Sequence, residues 1–119
     1  MVRVLHCDDS AAFRALIRAE LEDDDAIEIV GEAPDVDVAV RVAGETRPDV
    51  VLLDLLDVDR DAVGELRSVA PDVRVVVLSG HPREYGEGRR GGAVAYVEKD
   101  APITELRETV LRVAGGHAG

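Results

Sequence analysis

Five polar residues in this chain have the types that phosphoryl chemistry uses: the adjacent carboxylates Asp8 and Asp9, a third carboxylate at Asp54, the hydroxyl of Ser79 and the ammonium of Lys99. Asp54 closes the run Pro48-Asp49-Val50-Val51-Leu52-Leu53-Asp54, whose four consecutive apolar residues between a Pro-Asp turn and a carboxylate read as a strand buried on both faces. In an open parallel sheet the ligand crevice lies beyond the carboxyl ends of the strands, so a carboxylate there points at ligand. The chemistry this offers is a nucleophilic Asp54 that accepts a phosphoryl group. Taken alone, Asp54 also fits the plainer role of opening a turn or capping a helix.

If Asp8 and Asp9 share the crevice with Asp54, the three carboxylates repel one another and raise each other's pKa unless a cation compensates. Hard oxygen ligands of this kind select Mg²⁺, or Mn²⁺. Such an ion would draw in a phosphoryl donor and screen what is otherwise the approach of anion to anion. Ser79 and Lys99 would then bind the phosphoryl oxygens as charge shifts in the transition state. Lys99 is the single lysine among fourteen Lys and Arg residues, which fits a need for a compact ammonium at that position.

The elements that must position these groups alternate strand and helix. Val2-Arg3-Val4-Leu5-His6 is a short β-rich run leading into Cys7-Asp8-Asp9-Ser10. Phe13, Leu16, Ile17 and Leu21 then form the stripe of a helix packing one face on a sheet, with Asp9 or Ser10 as its cap and the acidic run 22–25 as its end. Ala26 to Gly31 reads as the second strand. From Asp35 to Val42 the period is ambiguous, since strict alternation argues strand while Val36, Ala39, Val40 and Ala43 argue helix. Helix is the choice that supplies the crossover parallel neighbours need, and Gly44 is expected to end it. After the central strand, Ala62, Val63, Leu66, Val69 and Ala70 mark a third helix, Val73 to Leu78 a fourth buried strand, and Ala95 to Val97 a fifth that delivers Lys99. The glycine-rich stretch between Pro82 and Gly92 predicts a short or frayed fourth helix. Ile103, Leu106, Val110, Val113 and Ala114 line a last helix ended by Gly115-Gly116. Five β-α units with right-handed crossovers favour an α/β doubly wound five-stranded parallel sheet.

Composition narrows the partners. The 119 residues suffice for one domain with a proper core, and 46% apolar residues make the chain globular. A net charge of −11 argues against direct binding of nucleic acid or an anionic membrane, because either requires a basic face. One cysteine, Cys7, excludes an internal disulfide and fits a reducing cytosol. No apolar run approaches the ~20 residues of a membrane span, and the first residues lack a signal peptide's apolar core, so a cytoplasmic location is expected.

Asp8-Asp9, Asp54, Ser79, Tyr96 and Lys99, each at a strand end or on a strand in this order, resemble the receiver domain of two-component response regulators. The resemblance runs from Val2 to Gly116. It implies a flavodoxin-like (CheY-like) (βα)5 fold with strand order 2-1-3-4-5, in which strands one and three are neighbours and Asp8, Asp9 and Asp54 converge. Residues 1–116 would be the receiver domain, and 117–119 a tail or the start of a linker. Gly31-Glu32-Ala33, Arg47-Pro48-Asp49-Val50-Val51-Leu52-Leu53-Asp54 and Lys99-Asp100-Ala101 look most like the NarL-type branch, whose receivers usually precede a DNA-binding helix-turn-helix. No helix-turn-helix is read within these residues.

By that resemblance Asp54 is the phosphoacceptor, served by a sensor histidine kinase or a small phosphodonor. Asp8, Asp9, Asp54 and the main-chain carbonyl of Leu56 would hold Mg²⁺, with Ser79 and Lys99 on the phosphoryl group. Tyr96 would turn inward as Ser79 moves, altering the face made by the fourth helix, fifth strand and fifth helix. A downstream protein or output domain, or a second copy of the chain in a homodimer, would read that change. The plainer role of Tyr96 is a half-buried edge aromatic. As in the family, the chain would be no enzyme beyond its own phosphorylation and dephosphorylation.

Two rival functions stand beside this. Phosphatases of the haloacid dehalogenase class also use a strand-end Asp in a Mg²⁺ site, but need a second Asp two residues later, where this chain has Leu56. A pseudo-receiver, an interaction module that kept the fold and lost phosphorylation, is favoured by the loop after Asp54, which is shorter than the family's and lacks its Met-Pro and Gly-rich turn. Retention of every acidic residue plus Ser79 and Lys99 opposes it. The segment from Ser79 to Lys99 is also short and glycine-rich. His6 reads as packed in the sheet, and His117 as tail. Leu56 and His81 lie where the family tunes attack of water on the aspartyl phosphate; His81, a loop histidine beside Pro82, is equally read as merely solvated. An apolar Leu56 should impede that water, which predicts slow loss of phosphate. In a decay assay Leu56→Asn should lose its phosphoryl group faster than the unsubstituted chain, and equal rates would refute the role.

Overall fold

The computed structural model describes residues 1–54, 61–80 and 92–115. Its strands are β1 (Val2–Cys7), β2 (Ile27–Ala33), β3 (Val50–Asp54), β4 (Arg74–Ser79) and β5 (Ala95–Glu98). Between them run α1 (Ala11–Glu22), α2 (Val36–Thr46) and α3 (Ala62–Val69), and a last helix spans Ile103–Ala114. The strands form one parallel sheet in the order β2-β1-β3-β4-β5, so the expected doubly wound topology is observed. The helix expected between Pro82 and Gly92, and the sites read at Leu56 and His81, lie outside the described residues.

Strand alternation divides the core in two. Leu5, Cys7, Val51, Leu53, Val75 and Val77 face the side covered by α2 and α3, where Val36, Ala39, Ala43, Val63 and Leu66 complete one cluster. Val4, Val50, Leu52, Val76, Leu78 and Val97 face the other side, under Ile17 and Leu21 of α1 and Leu106, Val110 and Val113 of the last helix. Both faces are therefore apolar, which is why the central strands read as continuous hydrophobic runs.

Local chemistry sets the helix ends. Ser10, Asp35 and Asp61 cap α1, α2 and α3 by accepting from Phe13 N at 3.1 Å, Val38 N at 2.9 Å and Gly64 N at 3.0 Å. Gly44 does not end α2; the helix runs on to Thr46, and Arg47 adopts the left-handed conformation at φ 49°. Two features explain the difference. Pro48 disfavours a right-handed helical Arg47, and the Arg3 guanidinium accepts the task of satisfying the terminal carbonyls, donating to Thr46 O at 2.5 Å and Arg47 O at 3.0 Å. Gly31 is required by packing, since a Cβ there would lie 2.7 Å from Val42 Cγ1. One member of the α1 stripe also departs from expectation: Leu16 is 53% exposed, because α1 and the last helix leave between them a groove of about 230 Å³ that it lines with Phe13, Ile103 and Leu106.

His6, on β1, is 1% exposed and sits edge-on to Phe13, ring centroids 5.7 Å apart. Neither ring nitrogen has a hydrogen-bond partner among the described residues. Burial pushes its pKa down to about 4 against the opposing pull of Asp8 and Glu32, so the imidazole is neutral at pH 7. A depressed folded pKa means the unfolded chain binds more protons between about pH 4 and 6.5. The stability present above that window is then lost as pH falls through it, on the order of 3 kcal/mol for this shift. Urea unfolding of the metal-free protein at pH 4.5 and 7 should show that loss, and His6→Leu should reduce it; an unchanged pH dependence in the variant would refute the assignment.

Candidate functional site

Parallel register carries the acidic residues to one end of the sheet. His6 pairs with Leu52 and Cys7 with Leu53, so Asp8, the residue after β1, stands beside Asp54 at the end of β3. Asp54 pairs with Leu78, Ser79 with Glu98, and Lys99 N donates to Ser79 O at 2.9 Å, which places Lys99 at the same end. One ligand oxygen each from Asp8, Asp9 and Asp54 lies within 4.8 Å of the others. The Lys99 ammonium bridges two of the three, 2.8 Å from Asp8 Oδ2 and 3.3 Å from Asp54 Oδ2.

The three carboxylates differ in environment. Asp8 is fully buried, Asp54 half-buried and Asp9 exposed. Burial, then the neighbouring Asp8 and, more weakly, Asp9 hold the Asp54 carboxyl above its ordinary pKa, while Lys99 pulls it back. For Lys99 burial works against the charge, but the contacts with Asp8 and Asp54 outweigh it and the pKa rises. The ammonium also lies 4.6 Å from the centre of the Phe13 ring, a cation–π distance.

A divalent ion fits this donor set. Asp8 Oδ1 already accepts from Ser10 N at 2.8 Å, but the buried Asp8 Oδ2 has only the Lys99 ion pair and no aligned hydrogen bond. Oxygens in contact with one Mg²⁺ at about 2.1 Å lie at most about 4.2 Å apart, so a contraction of a few tenths of an ångström would bring all three carboxylates onto one ion. Asp8, Asp9 and Asp54 could hold it, with hard oxygens and the net negative charge a divalent cation needs.

Ser79 is buried at the end of β4, and Tyr96 is half-buried on β5, packed against the core under α2 and α3. Val77 pairs with Tyr96, so by alternation Ser79 and Tyr96 share that face of the sheet, opposite the face of Leu52, Leu78 and Val97. Two residues not singled out as site residues by type or motif also reach the site, Arg14 and Glu32. Arg14 Nη1 donates to the carbonyl oxygen of Asp8 at 2.6 Å, and Glu32 accepts from Arg14 Nε at 3.2 Å. A cation in the first turns of a helix, where the dipole disfavours it, was the available signal.

Residues 4–111 match the family model for the response regulator receiver domain. The chain is 38% identical over 104 residues to protein-glutamate methylesterase/protein-glutamine glutaminase 2 of Koribacter versatilis, covering 82% of this chain and 29% of that protein. It is 30% identical over 121 residues to the transcriptional regulatory protein LiaR of Bacillus subtilis, covering 98% of this chain and 57% of that protein. Both relatives are thus considerably longer than this chain. Among solved structures, a signal receiver domain assigned to the response regulator NarL from Mycobacterium tuberculosis superposes with a TM-score of 0.87 at 31% identity, covering 98% of each chain. With the sheet order, the acidic cluster and these similarities in agreement, the chain belongs to the response regulator receiver domain family.

Proposed function

We propose that this domain is the phosphoacceptor of a two-component phosphorelay, with Asp54 as the residue modified. The observation that carries the reading is the juxtaposition of the Asp54 carboxylate with Asp8, Asp9 and the Lys99 ammonium at one end of the sheet. A Mg²⁺ or Mn²⁺ ion held by the three carboxylates would supply charge neutralisation between the donor phosphoryl group and Asp54. Asp54 acts as nucleophile: one carboxylate oxygen bonds to phosphorus as the bond to the donor's leaving group breaks, and the leaving group departs with its electron pair. Lys99 gives up part of its contact with Asp54 and binds a phosphoryl oxygen, while Ser79 donates to another as charge shifts onto them. The Leu56 carbonyl is proposed as a further metal ligand, and Leu56 and His81 as residues that tune loss of the phosphate.

Residues 1–116 would act as the receiver, and 117–119 as a tail or linker. The donor would be a sensor histidine kinase. Movement of Ser79 toward the phosphoryl group would let Tyr96, on the same face, turn inward and change the surface read by an output domain, a downstream protein or a second copy. The domain would act only on its own Asp54 and not as an enzyme on other substrates. The net charge of −11 speaks against direct binding to nucleic acid. No described helix is long and apolar enough to cross a membrane; a cytoplasmic site of action is part of the proposal.

Incubation with acetyl phosphate and Mg²⁺ should add one phosphoryl group by intact mass, and Asp54→Asn or removal of the metal by chelation should abolish the adduct. Absence of the adduct on the unsubstituted chain overturns the reading and leaves a phosphorylation-independent interaction module. Lys99→Met should slow phosphorylation by about 10²- to 10³-fold, the usual loss for a transition-state donor; a rate within a factor of two of the unsubstituted protein would remove Lys99 from the mechanism.

A further inference from the structure

A metal site is only as tight as the turn that presents its ligands is rigid, because outer contacts orient the inner ones. Asp8 and Asp9 sit on the turn between β1 and α1, one residue beyond the pairing of β1 with β3. The backbone holds one side of that turn: Asp8 N donates to Ala33 O at 2.9 Å, and Ser10 N donates to Asp8 Oδ1 at 2.8 Å. The other side is held by a side chain. Arg14 reaches back from α1 and donates from Nη1 to the carbonyl oxygen of Asp8 at 2.6 Å.

That carbonyl belongs to the peptide plane joining the two carboxylate residues. Its orientation sets the backbone angles on either side, and with them the direction in which the exposed Asp9 side chain leaves the turn. Arg14 is in turn fixed by Glu32 on β2: Arg14 Nε lies 3.2 Å from Glu32 Oε1, and Arg18 Nε lies 2.8 Å from Glu32 Oε2. The Arg14 and Glu32 side chains are 17% and 29% exposed, so this is a partly desolvated contact and not a solvated surface pair. Only a planar guanidinium can donate to a carbonyl and a carboxylate at once from a single rigid fork; an ammonium on a flexible stem cannot hold both directions.

We propose that Arg14, oriented by Glu32, is a positioning residue that holds the Asp8–Asp9 peptide so that both carboxylates aim at Asp54. The inference rests on reading the acidic cluster as a divalent-cation site. Charge and position make opposite demands on the arginine, which makes the role testable. As a mere cation near the site, Arg14 repels a metal ion, and its removal should strengthen binding. As a positioning residue, its removal should weaken binding.

The test is titration of the full chain with Mn²⁺ alone, reading free Mn²⁺ by electron paramagnetic resonance at fixed ionic strength, with folding of each protein checked by circular dichroism. Arg14→Met should weaken Mn²⁺ binding by about tenfold, the lower range for loss of an outer contact. Arg14→Lys, which keeps the charge and loses the fork, should fall between. Glu32→Gln should also weaken binding several-fold, but loss of its negative charge alone acts in the same direction, so Arg14→Lys, with the charge kept, decides the matter if Arg14→Met does not fold. Mn²⁺ binding by Arg14→Met, or by Arg14→Lys where that variant decides, as tight as in the unsubstituted chain or tighter overturns the proposal. No Mn²⁺ binding by the unsubstituted chain overturns both this inference and the metal site. Mn²⁺ binding with the expected losses but no phosphorylation of Asp54 sinks the phosphoacceptor function and leaves the positioning role standing.

Discussion

Carboxylates from separate strands can share one end of a sheet in their charged form only if positive charge stands between them, and the ammonium of Lys99 stands there, 2.8 Å from Asp8 and 3.3 Å from Asp54. At an effective dielectric of about 20, unit charges about 4 Å apart interact by about 4 kcal/mol, so the attraction to Lys99 is of the same size as the repulsion it offsets. The ammonium therefore permits the cluster more than it stabilises the fold. That requirement reaches through the sheet. Lys99 is delivered by β5, which is placed by pairing with β4 and by the bond from Lys99 N to Ser79 O, so strands with no acidic residue in the cluster are needed to make it tolerable.

Burial grades the three acids by what each can do. Asp8 is sealed behind β1 and tied to Ser10, Lys99 and, through its carbonyl, Arg14. Asp9 is open to solvent, and Asp54 lies between the two extremes, held toward its protonated form by burial and by Asp8. An anchored acid, a half-buried one and an exposed one make a site closed at its base and open at its mouth. The Phe13 ring stands at its base, 4.6 Å from the Lys99 ammonium and in a T-shaped contact with the buried His6.

Much of this was legible in residue order because both periodicities are short-range. Strands such as Val50–Asp54, buried on both faces, announce themselves as apolar runs, whereas the cap of α1, readable in the sequence as Asp9 or Ser10, is decided for Ser10 by its bond from Phe13 N. The segment 35–42 was not decidable from its own pattern; its alternating valines fit a strand as well as a helix, and the need for a crossover chose helix. Gly44 and Leu16 show where local reasoning stops. Gly44 was passed over as a helix end because Arg3, distant in sequence, satisfies the carbonyls two and three residues later. Leu16 keeps its helical position but loses its partner, since α1 and the last helix do not close over it.

By itself the amino-acid sequence determined the alternation of strands and helices and the placing of acids, a hydroxyl and one lysine at strand ends, because these follow from hydrophobic period and from what each side chain can do. Only the tertiary structure decided that oxygens of Asp8, Asp9 and Asp54 gather within 4.8 Å of one another, that Lys99 pairs with Asp8 and Asp54, that Asp8 is the buried member, and that Arg14 and Glu32 stand behind it. The physical reason is range: a helix or strand is chosen over a few residues, whereas the distance between charges 45 or more positions apart is set by strand order and register, which the sheet as a whole selects.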